Sequence, residues 1–303
     1  MRSAARRSKL PSPSWDTAPS RAATTLASSR TKSIGLVIDD YRNLWFVDLL
    51  RGLESVLTEH GYQVMLADSR PGENRIKEAA DGLLAMHVDG LVIAAEPGAT
   101  ALSGTEVPTV VAGWRNGVPD DADLITNDDD GGGAMAADHL LQLGHRRIGH
   151  LSGSGGAAAH RRGRLPGPTP SSRCRTADRG GEEGDTTEED GYSSACWLLD
   201  RHPDTTAIFA ANDTMALGAF GAIKARGLSV PTDITVIGYD NSALAKSRYL
   251  ELTSVDNRSD VVGVDVAKAL LNRIQGVAPP VSQRKLIDPI LVVRGGTTAA
   301  PRS

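Results

Sequence analysis

The sequence is poor in the features that define whole classes of protein. It has two cysteines in 303 residues, Cys174 and Cys196, too few for a disulfide framework and without the paired spacing of a zinc site, so both read as free thiols. No stretch comes near the roughly 18 uninterrupted apolar residues of a membrane-spanning helix. Residues Met1–Ser20 carry basic side chains but no apolar run of secretory-signal length, which predicts a cytoplasmic protein with no membrane partner. Catalytic signatures are missing too: there is no Gly-x-Ser-x-Gly elbow, no His-Glu-x-x-His, no Gly-Lys-Ser/Thr phosphate loop and no glycine fingerprint after the first strand. Ser152-Gly153-Ser154-Gly155-Gly156 follows a strand but lacks a phosphate-binding lysine. These absences predict a binding protein and not an enzyme, with no cofactor and no metal. A net charge of -4 and a pI near 6.0 also argue against a body coated for nucleic acid.

What the chain does have is local charge and regular alternation. Residues 1–32 hold seven Lys or Arg against one acid, Asp16, in a stretch rich in Ser, Ala, Thr and Pro, which reads as a flexible basic arm. From Ser33 onward short β-branched runs alternate with helical patterns, the signature of parallel βαβ construction. Strands are predicted at Ile34–Ile38, Tyr62–Ala67, Gly90–Ala94, Thr109–Ala112, Arg147–Leu151, Ala207–Ala210, Thr235–Tyr239, Leu252–Val255, Arg284–Ile287 and Ile290–Val293. Helices are predicted at Phe46–Leu57 on the spacing of Phe46, Leu49, Leu50, Leu53, Val56 and Leu57, and near Asn74–Met86, Ala134–Leu143, Tyr192–Leu199, Thr214–Arg226 and Val261–Ile274. Two sheets are implied. His145 and His150 flank a strand and read as structural. The interval Gly155–Gly181, dense in Gly, Pro and Arg, fits neither period and is expected to hold no regular element.

Five segments in order carry a resemblance. Thr31-Lys32-Ser33-Ile34-Gly35-Leu36-Val37-Ile38, Gly144-His145-Arg146-Arg147-Ile148, Ala210-Ala211-Asn212-Asp213-Thr214-Met215-Ala216-Leu217-Gly218, Val236-Ile237-Gly238-Tyr239-Asp240 and Leu291-Val292-Val293-Arg294-Gly295 resemble successive motifs of the LacI/GalR family of transcription regulators. The resemblance covers nearly everything from about Arg21 to Pro301. It implies an α/β fold of the two-lobed periplasmic-binding-protein-like type I, each lobe a parallel sheet flanked by helices. By the same likeness residues 33–303 form the effector-binding domain, with one lobe at about 33–127 plus 258–289 and the other at about 128–257 plus 290–303. The implied function is a DNA-binding transcriptional regulator, a repressor, acting as a homodimer on a sugar, polyol or nucleobase effector.

Two departures accompany the likeness. Met1–Ala18 has neither the length nor the periodicity of the family's helix-turn-helix head, so operator DNA is a doubtful partner for this chain. A segment resembling the hinge helix survives, with Arg21 and Ala22 placed for DNA contact and Leu26 for the minor-groove wedge. In the interval, Arg161-Arg162-Gly163 begins a family motif that dissolves into Pro-rich sequence. That suggests a reading-frame slip over roughly Arg164–Gly180, real or in the gene record.

Candidate effector ligands follow from chemistry and likeness together. A polyol leaving water needs its hydrogen bonds returned by carboxylates, amides and guanidinium groups beside an aromatic platform. Asp240 and Asn212 stand at strand ends, where parallel sheets open a crevice; turn chemistry is their alternative reading. Trp45 and Phe46 match an aromatic pair after the first strand, Phe46 also fitting the core stripe of its helix. Asp39 and Asp40 line the same loop as Asn43, where solvated turn residues are the alternative. Trp114 matches a cleft position and Arg161 the effector-gripping arginine. Asn257 matches a glutamine at the lobe crossover and fits a hinge equally well. The rival to a regulator is an exported solute-binding protein of a transporter, which shares the fold.

Overall fold

A computed structural model of the chain describes residues 30–69, 75–95, 107–113, 118–120, 122–153, 161, 173–177 and 186–300. The hinge residues Arg21, Ala22 and Leu26, the cleft candidate Trp114, and the interval 155–181 apart from Arg161 and residues 173–177 lie outside them. Two six-stranded sheets form. The first has the order β11 (Arg284–Ile287), β5 (Asp123–Asn127), β4 (Thr109–Ala112), β3 (Gly90–Ala94), β1 (Ser33–Ile38), β2 (Gln63–Asp68). The second runs β12 (Ile290–Val292), β10 (Thr253–Asp256), β9 (Thr235–Tyr239), β8 (Ala207–Ala210), β6 (Arg147–Leu151), β7 (Arg173–Ala177).

Helices cover both faces of each sheet, which is why strands such as β3, β4 and β8 are apolar or β-branched runs rather than alternating. In the first layer set, α1 (Trp45–Leu57) turns Trp45, Phe46, Leu49, Leu53 and Leu57 inward and lies against α6 (Ser259–Gln275). Their backbones meet at two glycines: a Cβ on Gly52 would stand 2.0 Å from the Asp260 carbonyl oxygen, and one on Gly263 would stand 2.2 Å from that of Leu49. On the opposite face α2 (Arg75–Ala85) packs Ile76, Ala80 and Leu83 against Val37, Leu91 and Ile93. The second sheet repeats the scheme, with α4 (Glu188–Arg201) and α5 (Asp213–Ala225) on one face and α3 (Asp129–Gln142) on the other. Each fully buried Leu, Ile or Phe contributes roughly 1.5–3 kcal/mol, so each sheet holds a core of its own. Among the described residues no helix is long and apolar enough to cross a membrane.

The chain passes between the sheets three times: from β5 to α3, from β10 to α6, and from β11 to β12. The third passage explains the one departure from parallel pairing. Only Asp288 and Pro289 separate β11 from β12, too short a link for a right-handed crossover, and β12 pairs antiparallel with β10.

Three elements differ from the sequence expectation. The strand β5 was not expected, because only Leu124 and Ile125 stand among acids and amides, yet all five of its residues are buried. Helix α3 begins at Asp129 rather than at Ala134: Gly131-Gly132-Gly133 hides a first turn that is capped by the Asp128 side chain accepting from the Gly131 N–H at 2.9 Å. Within the interval expected to lack regular structure, Arg173–Ala177 runs as β7 in register with β6. It is an edge strand, and a backbone ladder there does not require apolar residues.

Candidate functional site

The C-terminal ends of β8 and β9 and the N-terminus of α3 converge on one guanidinium. Arg161 donates from Nε to Asp129 Oδ1 at 3.1 Å and from Nη1 to the Ala211 carbonyl at 2.7 Å, and its Nη2 lies 3.2 Å from Asp240 Oδ1. The plane of the group also sits over the Tyr239 ring, 4.2 Å from its centroid. Gly132 makes room for that ring, since a Cβ there would come within 2.2 Å of the phenolic oxygen. Arg161, Asp129, Tyr239 and Asp240 are all buried.

Burial alone works against the charge on Arg161, but Asp240 and Asp129 more than restore it and raise its pKa. Burial pushes the Asp240 carboxyl up to about 7; Arg161 opposes that rise, while Asp213 and Asp129 add to it. The Tyr239 phenol is driven well above its ordinary range, first by burial and then by Asp129. Its hydroxyl nonetheless makes no hydrogen bond of full alignment among the described residues.

From Asp240 the polar network continues toward the first sheet. Asn257 donates from Nδ2 to Asp240 Oδ1 at 2.8 Å, and its own backbone carbonyl accepts from Asn127 Nδ2. Asn127 ends β5, and Asn257 begins the two-residue link between β10 and α6, so one chain of amides joins the carboxylate to two of the three passages. The third joins as well, because the Asp128 N–H donates to the Ile287 carbonyl at 3.0 Å. The Asn257 Oδ1 atom is buried with no hydrogen-bond partner among the described residues. A ligand hydroxyl or amine could therefore donate to Asn257, and one accepting atom could draw on the remaining guanidinium donors.

The other sequence candidates fall elsewhere. Asn212 caps α5: its side chain accepts from the Met215 N–H at 2.7 Å and donates to the Thr186 carbonyl at 3.0 Å. Asp213, the first residue of α5, does not cap it. Its buried carboxylate instead accepts from the Ser242 N–H and hydroxyl and from the Ser254 hydroxyl at 2.7, 2.8 and 2.7 Å, fixing the loop after β9 to β10. Asp40 is held by Arg42 through a bidentate pair, with Nη2 to Oδ2 at 2.8 Å, which is local turn chemistry. Asp39 is half-buried in the same loop. Trp45 and Phe46 stack edge to face at 5.0 Å and belong to the core of the first sheet, whereas Asn212 and Asp240 belong to the second. Asp129, Tyr239 and Asn127 were not anticipated; the acidic run Asp128-Asp129-Asp130 before a glycine triplet was the available signal for the first.

Sequence and structure comparisons give a consistent picture. The family described as a periplasmic binding protein-like domain matches residues 137–298. The chain is 34% identical to the HTH-type transcriptional regulator CelR of Thermobifida fusca, over 91% of this chain and 84% of the relative. It superposes on a LacI-family transcriptional regulatory protein from Corynebacterium glutamicum with a TM-score of 0.76 at 36% identity, covering 90% of this chain and 100% of the other. A transcriptional regulator CelR–cellobiose complex matches with a TM-score of 0.77 at 29% identity, covering 88% of this chain and 85% of that one.

Proposed function

Because the chain belongs to the LacI family of transcriptional regulators, we propose that its two sheets are lobes that close on a small polyhydroxyl effector and thereby control transcription as a repressor. The lobes comprise about residues 33–127 with 258–289 and about 128–257 with 290–303. The observation that carries this reading is the Arg161–Asp240–Asn257 cluster, a buried polar group at the end of one sheet whose hydrogen bonds run into the passages between the sheets. Asp240 and Asn257 serve as effector contacts, and Arg161 orients the carboxylate. By the sequence likeness, Trp45, Asp39 and Trp114 are the contacts proposed from the first lobe. The cellobiose bound by a structural relative makes a sugar the favoured effector over a nucleobase. A second copy of the chain is the macromolecular partner of this reading, operator DNA is bound by a dimeric relative, the lac repressor, and the cell interior is the setting. The expectation of a transporter's binding protein gives way to it.

Differential scanning fluorimetry of the purified chain against cellobiose, D-ribose, polyols and purine bases tests the proposal. A ligand at about 100 times its Kd adds roughly 2.7 kcal/mol to folding stability, which raises Tm by about 5–10 °C for a domain of this size. Asp240→Asn removes a charge-assisted acceptor and should weaken the stabilising ligand about 10- to 100-fold. Equal affinity of parent and variant would remove Asp240 from the site; stabilisation by purine bases alone would replace the sugar reading.

A further inference from the structure

The turn that presents Asp240 has a backbone that its own residues disfavour. Asp240 and Asn241 have φ of 90° and 47°, positive values that Asp and Asn tolerate better than other non-glycine residues but that, two in succession, still need support from their surroundings. The turn's backbone N–H groups are held by the Val255 carbonyl, the Ser254 hydroxyl and Asp213, while the Asn241 side chain is held from the far end of the chain. Arg294, two residues after β12, donates from Nη2 to Asn241 Oδ1 at 2.6 Å and from Nη1 to the Leu252 carbonyl at 2.8 Å. Its backbone is itself pinned, the N–H donating to Thr253 Oγ1 at 2.9 Å. Beyond it the segment runs across the second sheet, Gly296 bonding to Glu251 and Val236 and Thr298 to Thr235.

Asn241 passes the constraint onward. Its Nδ2 donates to Asp256 Oδ2 at 2.8 Å, and Asp256 Oδ1 accepts from the Arg258 N–H at 2.8 Å. Arg258 is again left-handed, with φ of 56°. The residue between Asp256 and Arg258 is Asn257, the donor to Asp240. A single relay from Arg294 thus reaches Asp240 twice, through the turn that carries it and through the passage that carries its hydrogen-bond partner.

We propose that Arg294 is a positioning residue for the effector site, holding the Asp240–Asn241 turn and the Asn257 passage in their binding geometry without touching the effector. The proposal rests on the assignment of Asp240 and Asn257 to effector binding. A merely structural arginine would lower global stability and leave the turn no looser than the strands around it.

Amide hydrogen exchange on the full, ligand-free chain separates the two. Arg294→Ala should accelerate exchange at Asn241 and Ser242 by about tenfold more than at the interior amides of β9, and Arg294→Lys, which keeps one charged donor, should restore part of the protection. Asn241→Gly tolerates the left-handed backbone without help, so in that background Arg294→Ala should change turn exchange by less than about twofold. Acceleration that merely keeps pace with β9, or an equal effect of Arg294→Ala in both backgrounds, overturns the proposal. Titration with cellobiose and D-ribose adds the functional arm: Arg294→Ala should weaken whichever sugar the parent binds by about tenfold, and unchanged affinity likewise overturns it. Should neither sugar bind the parent, the sugar reading of the site fails, while the exchange data still decide the role of Arg294.

Discussion

Asp240 is an ionisable group in a buried setting, and the balance of forces on it depends on pH. With a folded-state pKa near 7 against about 4 in an unfolded chain, the folded protein holds the Asp240 proton more tightly. The stabilisation this gives is complete below about pH 4 and is lost as pH rises toward 7, by at most about 4 kcal/mol. Asp213, pushed up to about 6 by burial against the pull of Ser254 and Ser242, acts in the same direction. Asp240→Asn should flatten this dependence: Tm curves from pH 4 to 8 are expected to converge at acid pH, with the variant the more stable at pH 8. Arg161 keeps Asp129 and the Ala211 carbonyl as partners in that variant. Parallel curves for the two proteins would show that burial leaves Asp240 unperturbed. Asp240, Arg161 and Asn257 were legible in the sequence because each lies in a motif or at a strand end. Asp129, Tyr239 and Arg294 were not, since their significance depends on partners brought near only by folding: Asp129 lies 32 residues from Arg161 and Asn241 lies 53 from Arg294.

At the scale of elements, periodicity served where apolar residues set the pattern and failed where polar contacts did. Strands β3, β4, β6, β8 and β11 were expected at the bounds observed, and for β3, β4 and β8 the reason is that buried parallel strands are continuous apolar or β-branched runs. Strand β5 escaped notice because an ion pair, not a run of valines, secures its start. Arg273 of α6 donates from Nε and Nη2 to Asp123 at 2.7 and 2.8 Å, and the Gln283 N–H before β11 donates to the same carboxylate at 2.7 Å. The pair therefore ties a helix and two strands together. Arg273→Ala leaves Asp123 buried without its cation, a loss of about 3 kcal/mol, the lower end for a broken buried pair, since the Arg273 side chain is 24% exposed. Although burial alone raises the Asp123 carboxyl, Arg273 and Gln283 hold it below its ordinary value. That stabilisation is present above the ordinary carboxylate pKa and disappears as pH falls through the lowered one. Urea unfolding at pH 7 and pH 3 should show the variant's deficit shrinking in acid; a deficit of equal size at both pH values would assign the loss to packing instead.

At the scale of the whole molecule, the described residues form two cores joined by three passages, and what makes them one cooperative body is concentrated at those passages. The amide of Asn127 is central there. It is buried, it ends the strand that leaves the first sheet, and it donates to the backbone of the passage leading back from the second. Asn127→Asp keeps the shape but replaces the donor with an oxygen facing the Asn257 carbonyl, so a buried acceptor loses its partner and meets a like charge. The cost, about 1–3 kcal/mol or more, falls on the coupling between the sheets rather than on either core, because Asn127 and Asn257 belong to neither sheet's apolar clusters. Calorimetry is then expected to resolve two transitions in Asn127→Asp where the parent shows one, since cooperative unfolding of two cores depends on the free energy linking them. Asn127→Ala, which removes the donor without adding charge, should fall between. If both variants unfold in one transition merely shifted to lower temperature, the passages do not set the cooperativity of the fold, and effector-driven closure would have to be communicated by another route.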